Sequence, residues 1–125
     1  MHLSKMISGH TRMKDKKVVK IAKEVVEIEL QSLKKLKSSI GNSFGKIVKT
    51  IISCKKGKII ISGVGKSGII GKKWSATFSS TGTPSIFLDA SNASHGDMGQ
   101  ITSNDVVILI SLSGQSEELK NIIQY

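Results

Sequence analysis

The sequence predicts an α/β fold in three layers, a parallel sheet with helices on its faces, and three observations carry that reading. Short apolar runs at residues 58–62, 85–88 and 106–110 alternate with helical patterns. Two of the runs lead through a glycine-containing, hydroxyl-bearing loop straight into a helix, as in βαβ units. The last run, Val106-Val107-Ile108-Leu109-Ile110, is apolar without alternation, which is expected of a strand covered on both faces and central in the sheet.

Residues 1–15 have no periodicity and read as a disordered lead-in, leaving 16–125 as one domain. From Lys16 onward Val18, Ile21, Ala22, Val25, Ile28, Leu33, Leu36 and Ile40 recur at three- and four-residue spacing, the pattern of a long amphipathic helix. Gly41-Asn42-Ser43 offers a stop and a new N-cap, and Phe44, Ile47, Val48, Ile51 and Ile52 outline a second helix ending near Gly57. Lys58–Ser62 is the first strand, followed by Gly63-Val64-Gly65-Lys66-Ser67-Gly68. A helix over 69–80 has Ile70, Trp74, Thr77 and Phe78 on one side, with Trp74 expected in the core, as is Cys54. It stops at the Thr81-Gly82-Thr83-Pro84 turn. Ser85–Leu88 is the second strand, and a last helix begins at Glu117.

The formal charge of +10 is confined to the first part of the chain: residues 1–58 carry +11 and the remainder −1. All basic residues except Arg12 are lysines, which lack the planar fork that reads bases. A solvated helix face accounts for this distribution, and nucleic-acid binding is not expected. A single cysteine excludes an intramolecular disulfide and a cysteine-based zinc site. No apolar run spans a membrane and no secretory pattern opens the chain, so the cytoplasm is the expected compartment.

The chemistry lies in the loops at the strand ends. As a nucleotide P-loop, Gly65-Lys66-Ser67 needs a glycine five residues earlier, where Ile60 stands. As a dinucleotide fingerprint, Gly63, Gly65 and Gly68 have the right spacing, and Asp89 lies 21 residues after Gly68, where a ribose-binding acid belongs. As a phosphosugar loop, Gly65 admits close backbone approach, Lys66 brings charge and Ser67 a hydroxyl at a helix N-terminus. This loop alone leaves the last two readings open. Around Gly114, however, Ser111, Ser113 and Ser116 set three hydroxyls at a second strand-to-helix junction. Helix capping explains one of them easily and three poorly, whereas two such loops suit a small dianion.

Gly63–Gly68, Ala76–Ser85, His95-Gly96-Asp97-Met98-Gly99 and Asp105–Ser116 together resemble, in order and spacing, the arabinose-5-phosphate isomerase family. The resemblance implies a sugar isomerase (SIS) domain of which this chain is the N-terminal portion, incomplete at its C-terminus. It implies interconversion of ribulose 5-phosphate and arabinose 5-phosphate, a step toward lipopolysaccharide sugar, with no cofactor and with self-association. It assigns Ser67, Ser111, Ser113 and Ser116 to the phosphate, and Lys66, His95 and Glu118 to proton transfer at the sugar. Leu112 and Gln115 stand where the family usually has asparagine and an acidic residue. The family places a further glutamate and histidine beyond this length of chain, so the 125 residues alone are expected to bind better than they catalyse. A non-catalytic phosphosugar-binding remnant and a nicotinamide-binding domain are the alternatives.

Overall fold

The computed structural model describes residues 15–93 and 95–125. The expected lead-in lies outside them except for Asp15, as do His2 and His10. Two compact units divide between Phe44 and Gly45.

The first unit holds α1, Asp15–Ser39. Charged residues at (i, i+4), such as Lys20 and Glu24 at 3.8 Å, and good helix formers favour it locally. Every residue from Lys16 to Ser39 is exposed, including Val18, Val25, Leu33 and Leu36. Helix α2, Asn42–Ser53, follows after a two-residue break at Ile40 and Gly41.

The second unit contains the sheet. Strands β1 (Ile59–Gly63), β2 (Ser85–Asp89) and β3 (Val106–Ile110) are all parallel, in the order β2-β1-β3. Between them run α3 (Lys66–Ser80), the one-turn helix α4 (Ala90–Ala93) and a 3-10 turn, Asp97–Gln100; α5 (Glu117–Gln124) comes last. Ile60, Leu88, Ala90, Ala93, Leu119 and Ile122 form the core beneath α4 and α5. On the opposite face Gly71 of α3 approaches Ile61 and the Phe87 ring. The structure therefore has the expected three layers.

Three expectations are corrected. The central strand is β1, buried at all five positions, while β3 has a single strand neighbour among the described residues and Val107 is 36% exposed. An unbroken apolar run speaks of covered faces, and it carries no information on how many strands pair with its edges. Helix α3 begins at Lys66 instead of Ile69, because Gly65 completes the turn in one residue. Trp74 is 37% exposed, for the buried side of α3 is the small-residue row Gly68, Gly71 and Ser75. A Cβ on Gly68 would lie 2.6 Å from the Gly63 carbonyl oxygen, so only small residues let this helix approach β1 and the large apolar residues turn outward. There Trp74 and Phe78 pair, ring centroids 5.6 Å apart. Cys54 is half-buried, its thiol donating to the Asn104 carbonyl at 3.4 Å. Among the described residues no helix is long and apolar enough to cross a membrane.

Candidate functional site

Parallel pairing brings the ends of all three strands to one level: Gly63, the last residue of β1, is in register with Asp89 of β2 and Ile110 of β3. The glycine loop after β1 and the serine loop after β3 therefore leave from adjacent strand ends. Gly65 takes φ 57° and Gly114 φ 68°, left-handed conformations that glycine adopts without strain. Each loop thus reverses quickly into a helix N-terminus.

In the first loop Lys66 and Ser67 are the first two residues of α3, Lys66 exposed and Ser67 half-buried. No side chain caps this helix, and the Gly68 N–H donates to the Val64 carbonyl at 3.4 Å, so the Lys66 and Ser67 N–H groups ahead of it are the ones placed for an anion. In the second loop the serines are already ordered by the backbone. The Gly114 N–H donates to Ser111 Oγ at 2.9 Å and the Gln115 N–H to Ser113 Oγ at 3.2 Å. Ser111 Oγ and Ser116 Oγ lie 3.5 Å apart. A hydroxyl that accepts from an amide still has its own proton to give, so these bonds fix Ser111 and Ser113 without exhausting them. Ser116 is the N-cap of α5, yet its hydroxyl makes no capping bond, and helix capping does not account for it. Leu112 is fully exposed and takes no part in the core.

A hollow of about 210 Å³ is lined by Leu109, Ser111, Gly114, Ser116, Leu119, Lys120 and Ile123. A smaller one of about 100 Å³ collects Gly63, Val64, Gly65, Gly68, Lys72, Phe87, Asp89 and Ser91. The glycines of the first loop and two serines of the second, Ser111 and Ser116, therefore line separate hollows. Lys66, Ser67, Ser113, His95 and Glu118 line neither. His95 and Glu118 are exposed, and the His95 N–H donates to the Asn92 carbonyl at 2.9 Å. Among the described residues no side-chain hydrogen bond or ion pair joins Lys66, His95 or Glu118 to another group. Asp89, the rival ribose ligand, accepts from the Ser91 N–H at 3.0 Å. Two larger hollows, about 350 Å³ along α2 and β3 and about 270 Å³ around Cys54 and Pro84, contain none of the predicted site residues.

Sequence reasoning missed two residues here. Lys120 lines the serine hollow; its signal was a position one helical turn beyond Ser116. Ser62 carries a buried hydroxyl with no partner among the described residues, directly before the first glycine of the loop. Only the fold reveals that β1 is enclosed on both sides there.

Known proteins share this architecture. Residues 51–125 match the SIS domain family. Arabinose 5-phosphate isomerase KdsD of Francisella tularensis is 48% identical over 104 residues, which are 82% of this chain and 32% of that protein. The probable arabinose 5-phosphate isomerase of Haemophilus influenzae is 43% identical over 105 residues, 84% of this chain and 31% of that protein. An Escherichia coli CFT073 protein solved in complex with arabinose 5-phosphate superposes with TM-score 0.82 at 40% identity, covering 90% of this chain and 59% of that one. The chain spans about a third of the length of these curated relatives. With the glycine loop, the serine loop and the parallel sheet all inside the matched stretch, the chain belongs to the SIS domain family.

Proposed function

We propose that the chain binds the phosphate of a pentose phosphate and serves aldose-ketose isomerisation of the arabinose 5-phosphate and ribulose 5-phosphate type. The observation that carries this is the departure of two hydroxyl-bearing, left-handed glycine loops from the adjacent ends of β1 and β3. Ser67, Ser111, Ser113 and Ser116, with the backbone around Gly65 and Gly114, would hold the dianion through neutral donors and two helix N-termini. Isomerisation moves a proton between neighbouring carbons through an enediol, so it needs a base and donors for the developing oxygen charge. Lys66, His95 and Glu118 are the residues proposed for these tasks, with the phosphate held remotely to supply binding energy. No redox change occurs, and the reaction calls for no nicotinamide. Pentose phosphates as substrates accord with a cytoplasmic protein.

Thermal shift separates this reading from its rivals. Arabinose 5-phosphate is expected to stabilise the chain and NAD to leave it unchanged; the reverse would favour the dinucleotide reading built on Asp89. Ser67→Ala with Ser113→Ala is expected to abolish the shift while far-ultraviolet circular dichroism stays the same. A shift that survives in the double variant overturns the two-loop phosphate site. Conversion of ribulose 5-phosphate by the 125 residues alone is expected at trace level, and robust turnover would mean that Lys66, His95 and Glu118 suffice.

A further inference from the structure

Helix α5 opens with two acids, Glu117 and Glu118, in its first turn. Carboxylates there suit the helix dipole, but they repel any anion brought to the neighbouring serines. Lys120 meets this difficulty. It forms an ion pair with Glu117 and lines the same hollow as Ser111, Gly114 and Ser116. The pair is open to solvent, with 47% of the lysine side chain and 80% of the glutamate exposed, and such pairs are weak and readily exchanged. An ammonium has three donors and Glu117 occupies one of them, so the lysine has donors left for a second oxygen ligand. A phosphate monoester carries nearly two negative charges and outcompetes a single exposed carboxylate for it.

We infer that Lys120 is a phosphate-binding residue of the second loop, held near the serines by Glu117 and shared with, or handed to, the phosphate monoester. This rests on the phosphosugar reading of the serine loop. In that loop it supplies the one positive charge that the three hydroxyls lack. Glu117 is a positioning residue that also competes with the ligand, and this gives the two partners opposite signatures.

Calorimetric titration of the whole chain with arabinose 5-phosphate and with inorganic phosphate tests it. Lys120→Met, which keeps most of the apolar stem, is expected to weaken both ligands about tenfold, the loss of one charge-assisted hydrogen bond. Lys120→Arg is expected to recover most of the affinity. Glu117→Gln is expected to tighten both about twofold by removing the competitor. If Lys120→Met leaves affinity unaltered, or if both substitutions weaken binding alike, the pair only braces the helix and the inference is overturned. Failure of the unmodified chain to bind either ligand would overturn the loop reading together with it. Both side chains are exposed, so a change in thermal stability reads any effect on folding separately.

Discussion

Asp105 joins parts of the chain that the sequence keeps far apart. Its buried carboxylate, 1% exposed, accepts from the Lys58 N–H, the Lys58 ammonium and the Thr102 N–H, each at 2.8 Å. Burial alone would push this carboxyl up; the hydrogen bonds from Lys58 and Thr102 outweigh it and hold the group well below the usual carboxylate range. A depressed folded value means that its stabilisation is complete above the unfolded value, about 3.9, and is lost as the pH falls toward the lower, folded one. Denaturant unfolding is therefore expected to show stability that holds down to mildly acidic pH and drops below it. Asp105→Asn turns an amide donor toward donors, and is expected to cost about 3 kcal/mol at neutral pH and to flatten that acid limb. A full acid dependence retained in the variant would place its origin elsewhere. None of this was legible in the sequence, because Lys58 is 47 positions away and meets Asp105 only once β1 and β3 pair in register.

At the scale of the element, α3 divides what periodicity reveals from what it conceals. The glycine loop, the helix and its end at Thr81 were all readable, since each rests on local chain geometry. Its orientation was not. The spacing of Ile70, Trp74 and Phe78 identifies a stripe without saying which way it faces, and the sheet took the adjacent side because Gly68, Gly71 and Ser75 permit close approach, leaving Ile70 and Trp74 exposed and Phe78 half-buried. The same distinction separates two glycine substitutions. Gly68→Ala puts a methyl against the Gly63 carbonyl and is expected to cost about 2 kcal/mol and to disturb ligand binding at Ser67. Gly45→Ala lies within α2 with no atom inside 4 Å and is expected to gain up to about 1 kcal/mol from helix propensity. Denaturant midpoints of the two variants should move in opposite directions; equal movement would mean that the backbone contact is not what requires Gly68. The candidate site follows the same rule: its loops were legible as motifs, while the separation of their two hollows and the place of Lys120 depend on how α5 is set against β3.

For the whole molecule, the exposed apolar surface is the dominant feature. Along α1 no residue from Lys16 to Ser39 is covered, and Ile69, Ile70 and Trp74 on α3 are exposed as well. Apolar area of this extent is costly in water and favours association. Self-association is expected in light scattering at micromolar concentration, and a monodisperse monomer at high micromolar concentration would count against it. The sequence made the stripe on α1 visible, but no periodicity describes a surface that would cover it. Trp74 gives the same dilution series an optical meaning. It is the chain's one tryptophan, it stands on the outward side of α3, and it lines neither of the two loop hollows. Its emission consequently acts as a local polarity gauge for that helix: a shift to shorter wavelength on assembly locates the contact on α3, and an unchanged spectrum beside a rising particle mass assigns it to α1.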